Sequence, residues 1–189
     1  MLRRTLFSVA IAICLGCVCR ATWAQEVVHA LTGTVSSIDP ANKTITVFLD
    51  GGRQDIFKDM TNTKVSLSVD KKVLADTTTP DAFKKQGAYV VVFYYGNADA
   101  RSAVALRSLG AGPFTAIVGT VDRFDHDHSI TVTDSSGATQ TFKINADTVA
   151  EGMVGAVNGL KFSAEKGDHV RVVGTSKDGS PIALFVSEN

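Results

Sequence analysis

Apolar and polar residues alternate in short runs over most of the chain. Leu31, Gly33 and Val35 occupy every second position, and the next apolar residue is Ile38. Ile117, Gly119, Val121 and then Phe124 repeat that spacing. A period of two predicts a half-buried strand, and the step of three within it predicts a β-bulge or sharp bend. Glycine at an inward position predicts a strand coiled round a small barrel, where another backbone comes close. Ile45, Val47 and Leu49 predict a second strand, with Ile130 and Val132 as its counterpart. Phe57, and Phe142 with Ile144, mark a third. Asp50-Gly51-Gly52 and Asp134-Ser135-Ser136-Gly137 read as hairpin turns. Residues 89–95 with 102–109, and 170–175 with 181–186, predict fourth and fifth strands. The second pair is joined by the turn Lys177-Asp178-Gly179. Between strands three and four, Thr79-Pro80-Asp81-Ala82-Phe83-Lys84-Lys85 predicts one or two helical turns capped by Thr79. The glycine-rich residues 150–159 read as a loop in the second set.

The two sets match in order. Gly33-Thr34-Val35 recurs as Gly119-Thr120-Val121, Ile45-Thr46-Val47 as Ile130-Thr131-Val132, and Phe57-Lys58 as Phe142-Lys143. Gly87, Val90 and Val92 recur as Gly167, Val170 and Val172, and Ala105-Leu106 as Ala183-Leu184. So many matches in one order indicate a duplication, with Gly110-Ala111-Gly112-Pro113 as the joint. Three strands, a short connector and two more strands is the order of an OB-type barrel, and a pair of SH3-like barrels would fit nearly as well. The expected fold is all-β, two tandem five-stranded OB-like barrels over residues 25–110 and 111–189. The Gly-x-Val, Asp, Ile-Thr-Val, Gly-x-x-Val-x-Val and Ala-Leu pattern resembles a family of uncharacterised bacterial exported domains with OB-like barrels, often in tandem. The resemblance covers nearly all of residues 25–189. It rests on glycines and core residues, so it implies a fold and carries over no catalytic residue.

Residues 1–24 read as a secretory signal. Arg3 and Arg4 supply the positive start, and residues 6–18 are apolar apart from Ser8, too short a run to span a bilayer comfortably. Thr22-Trp23-Ala24 fits a cleavage site, which would start the mature chain at Gln25. Two alternatives stand beside it: a retained leader, and a lipid anchor on Cys17, since Leu15-Gly16-Cys17 resembles the end of a lipobox. All three cysteines lie in the leader, so the mature chain has no disulfide and no thiolate ligand or nucleophile. The expected location is the bacterial periplasm or the exterior, with no transmembrane segment after cleavage.

Charge narrows the partners. The leader holds three of the 19 basic residues and none of the 19 acidic ones, leaving a mature net charge near −3. That argues against nucleic acid, which selects a basic patch or stripe. No Gly-x-Ser-x-Gly elbow, phosphate loop, dinucleotide fingerprint or His-Glu-x-x-His helix is present. The chain therefore reads as a non-enzymatic binding or scaffold module without a cofactor. Two features could make contacts. Tyr89, Val91, Phe93 and Tyr95 point out of the first barrel as an apolar stripe, which needs a cover. The cover is either the second copy or an exported protein or apolar ligand, and the stripe is the expected partner surface. The second feature is the turn Asp125-His126-Asp127-His128, whose imidazoles and carboxylates suit Zn, Cu or Ni. A solvated polar turn is the competing reading, because a firm site takes three or four converging ligands. His169 is the candidate for a further ligand, but its neighbours Asp168 and Arg171 are expected to face solvent.

Overall fold

A computed structural model describes residues 25–59, 65–98, 100–177 and 179–188 of the 189-residue chain. The expected leader, its cleavage site and Cys17 lie outside the described residues. The first half contains β1 (Glu26–Val27), β2 (His29–Asp39), β3 (Thr44–Leu49), β4 (Gln54–Asp59), β5 (Leu67–Ser68), β6 (Tyr89–Tyr95) and β7 (Ser102–Ser108). Strands β2, β3, β4, β7 and β6 pair in that order round a closed barrel. Neighbours are antiparallel except β4 and β7, which run parallel where Lys58 and Asp59 meet Ser102 and Ala103.

The second half contains β8 (Phe114–Asp125), β9 (Ser129–Asp134), β10 (Thr139–Lys143), β11 (Val149–Gly152), β12 (Gly155–Asn158), β13 (His169–Lys177) and β14 (Ser180–Glu188). These make a sheet in the order β10-β9-β8-β13-β14-β11-β12, and β10 meets β14 again, in parallel, at Lys143 and Ile182. Strands β8, β9, β10, β13 and β14 thus pair in the same order and sense as β2, β3, β4, β6 and β7.

Alternation in the sequence accounts for the walls. Val35, Ile45, Val47, Phe57, Val90, Val92 and Leu106 fill the first barrel. Val121, Ile130, Val132, Phe142, Val170 and Val172 fill the equivalent space in the second half. Each interior is closed by a phenylalanine just after a 3-10 turn: Phe83 follows Pro80–Ala82, and Phe162 follows Gly159–Lys161. The step of three in the first long strand of each half is a bulge, at Val35/Ser37 and at Val121/Arg123. The inward glycines meet backbone: a Cβ on Gly33 would lie 2.6 Å from the Phe48 carbonyl oxygen, and one on Gly119 would strike the Thr133 carbonyl.

Two local expectations are corrected. Residues 79–85 make a single 3-10 turn, and Thr79 does not cap it; its hydroxyl donates to the Asp81 carboxylate at 2.5 Å. Residues 150–159 are not a loop. Residues 150–158 belong to the β11–β12 hairpin, whose first strand runs parallel to β14, with Val149 and Ala150 opposite Phe185 and Val186, and Gly159 opens the 3-10 turn that follows. The small residues that read as a loop let this hairpin pack tightly. Gly155 has a positive φ of 92° and leaves no room for a Cβ against Val27 and Val28.

The two halves share a third cluster of buried residues. Val28, Ala30, Val73, Val91, Phe93 and Ala105 of the first half pack against Val149, Ala156, Val173 and Phe185 of the second. The Ala156 N–H donates to the Val28 carbonyl at 2.7 Å, so backbone as well as side chains cross the junction.

Candidate functional site

Strand β6 decides what the apolar stripe is. Val90 and Val92 point into the first barrel, and Val91 and Phe93 point outward, as alternation requires. Outward here does not mean exposed. Val91 and Phe93 are both 0% accessible because Val173, Phe185, Ala156 and Val149 cover them. Tyr89 is half-buried against Phe114 at a ring separation of 4.9 Å, and Tyr95 is half-buried at the strand end. Val91 and Phe93 of the expected partner surface, with Tyr89 beside them, are therefore an internal contact, and the second half covers them.

Polar side chains clasp the rim of that junction. The Asp50 Oδ2 atom accepts from the Thr32 hydroxyl at 2.5 Å and from the Tyr89 hydroxyl at 2.6 Å. It also meets the Arg171 guanidinium at 2.6 Å. Arg171 is thus drawn out of solvent, contrary to expectation, while His169 is exposed. On another side, His29 Nδ1 lies 2.6 Å from Glu151 Oε1, and the Ala30 N–H donates to Glu151 Oε2 at 2.7 Å. Burial pushes the Glu151 carboxyl above its ordinary range, and the contacts with His29 and Ala30 work against that rise. Asp70 accepts from the Asn158 amide at 2.7 Å and pairs with Lys161 at 3.0 Å. Burial would raise the Asp70 carboxyl, but the Lys72 N–H, Lys161 and Asn158 outweigh it and hold it low. The Arg107 guanidinium donates to the carbonyls of Val73, Ala75 and Asp147.

The Asp50 clasp has a titration signature. Burial, then the Asp50 carboxylate, pushes the Tyr89 phenol up to about 12 from an ordinary 10. The phenol must stay protonated to donate. Its contribution to stability is therefore complete below pH 10 and is lost as pH rises from there through about 12. Burial raises the Tyr94 phenol as well, so alkaline absorbance titration is expected to show a late-ionising component that is reduced, with Tyr94 still contributing, in Tyr89→Phe. A curve unchanged by that substitution would remove Tyr89 from the clasp.

The Asp125-His126-Asp127-His128 turn joins β8 to β9. His126 Nδ1 pairs with Asp127 at 2.9 Å, and His128 Nδ1 lies 2.8 Å from the His126 carbonyl. That carbonyl, then Asp125, raises the His128 imidazole above its ordinary value. Among the described residues, no three or more His, Cys, Asp or Glu side chains are grouped so as to hold a metal ion.

No protein-family model matches the chain, and no curated protein does. Among the described residues no helix is long and apolar enough to cross a membrane.

The outer wall differs between the halves in a way that spacing did not reveal. On β9 and β10, Thr131 and Thr141 share a hydrogen bond at 2.9 Å, as do Thr133 and Thr139 at 3.1 Å. At the positions of Thr133 and Thr141, the first barrel carries Phe48 and Ile56, 48% and 62% exposed.

Proposed function

We propose that the chain is an exported, non-enzymatic binding or scaffold module of two tandem OB-like barrels. The observation that carries the reading is the junction. Charged groups drawn out of water are where a catalytic site would be sought. Here Asp50, Asp70 and Glu151 each face a partner from the other half, so they act to hold two barrels in one fixed arrangement. The pairing order β2-β3-β4-β7-β6 supports the OB-like assignment. The recurrence of bulge and inward glycine at Gly33 and Gly119 supports the duplication. Export rests on the character of residues 1–24 and the confinement of cysteine to them. It places the protein in the periplasm or outside the cell.

A metal-handling role is the second reading. It draws on two imidazoles and two carboxylates on one exposed turn. Zn, Cu or Ni would suit such a set. One experiment separates the readings: native mass spectrometry of the protein from a bacterial host that processes its own leader. The scaffold reading expects a chain starting at Gln25 with no metal adduct. A bound metal ion that is lost in the His126→Ala, His128→Ala double variant would overturn it in favour of the second. An intact leader, or a lipid on Cys17, would overturn cleavage at Gln25.

A further inference from the structure

Two uncovered surfaces of opposite character stand on the described chain, and we propose that they bind each other between copies, joining molecules head to tail. The first is the outward face of β3 and β4. Phe48 and Ile56 are exposed on it, and Lys58 follows Ile56 on the same side. The outward positions of these two strands, residues 44, 46, 48, 54, 56 and 58, include one lysine and no acid. The equivalent wall of the second half satisfies itself through paired threonine hydroxyls and needs no cover. The apolar pair is therefore a departure made in one barrel only.

The second surface is the tip of the β11–β12 hairpin. Gly152 pairs with Gly155, so Met153 and Val154 form a two-residue turn, and they are 94% and 78% exposed. The left-handed residue of this hairpin is Gly155, with φ 92°, so the backbone makes no special demand on Met153 or Val154. Polar residues would ordinarily stand at such an exposed tip because they stay solvated, and a thioether and a β-branched side chain do not. Beside Met153 lies a groove of about 420 Å³, lined also by Ala164, Glu165, Asp168, His169 and Glu188. The tip is thus an apolar projection with carboxylates along one flank.

The charge pattern selects the occupant. The β3–β4 face calls for an apolar group accompanied by anions, and the tip calls for an apolar patch accompanied by a cation. A second copy of this chain supplies both. The contact joins unlike surfaces, so each added molecule leaves one surface of each kind free, and the assembly extends or closes as a ring of three or more copies. This deepens the scaffold reading by naming its partner.

Sedimentation velocity over a concentration series, with the protein from a host that processes its own leader, tests this. The average mass is expected to rise beyond a dimer with concentration and to fall as salt is added. A face variant, Ile56→Glu, and a tip variant, Val154→Glu, alter exposed side chains and are each expected to sediment as monomers. Mixed together they retain one intact face and one intact tip, and are expected to form a one-to-one dimer and nothing larger. A wild-type protein that stays monomeric throughout overturns the proposal. So does a symmetric dimer that goes no further, or association that survives both substitutions. A metal adduct or a turnover, which would sink the scaffold reading, leaves this sedimentation result unchanged, so the two failures are told apart.

Discussion

Replacing Phe93 with alanine is expected to cost about 3–5 kcal/mol of unfolding free energy, the range for truncating a fully buried aromatic side chain. Phe93 is 0% exposed and packs in the cluster shared by the two halves. The loss should appear as a lower midpoint in urea unfolding followed by circular dichroism. Phe48 provides the comparison, since it is the same residue type on a strand of the same barrel but 48% exposed. At low protein concentration Phe48→Ala is expected to change stability by no more than about 0.5 kcal/mol, as for an ordinary surface position. Equal effects at the two sites would mean that the outward side of β6 is not an internal contact.

The second large effect is expected at Gly119. A Cβ there would meet the Thr133 carbonyl oxygen, would lie 2.7 Å from the Thr133 carbonyl carbon, and would lie 3.0 Å from the Asp134 Cα. All three are backbone atoms of the paired strand β9, so no flexible side chain can give way. Gly119→Ala is expected to destabilise by about 3 kcal/mol, the upper end for overpacking. Gly51→Ala is the matched control, since a Cβ at Gly51 meets nothing within 4 Å. Thermal unfolding of the pair decides the matter. A Gly119→Ala protein as stable as the control would show that strands β8 and β9 do not approach as closely as this.

What could be read from the chain was whatever its local spacing encodes. Ile45-Thr46-Val47 and Ile130-Thr131-Val132 alternate because one side of each strand faces a core, so β3 and β9 were legible, as were the bulges after Val35 and Val121. The β11–β12 hairpin was not, because Ala150, Gly152, Gly155 and Ala156 lack the bulk that marks a strand and the two residues at its tip, Met153 and Val154, are apolar. The outward direction of Val91 and Phe93 was legible too, but alternation reports only which side of a strand a residue takes. What lies on that side is a tertiary fact. The clasps had no local signal at all: His29 and Glu151 are 122 positions apart, and Asp70 and Asn158 are 88 apart. One signal was present and went unread. Phe83 and Phe162 each precede the recurrent Gly87 or Gly167 by a few residues, and each closes one core.

The shared junction also sets an order of events for a chain that emerges N-terminus first. All five strands of the first barrel have appeared once Ser108 is out, yet Val91 and Phe93 lack the second-half part of their cover until Val149 and Ala156, and finally Phe185, have followed. Over that interval the nascent molecule presents an incompletely covered apolar strand, the kind of surface on which half-made chains associate wrongly. The first barrel therefore depends on its successor for protection, and a chain stopped at the Gly110-Ala111-Gly112-Pro113 joint would be a ligand for holding factors rather than a finished domain.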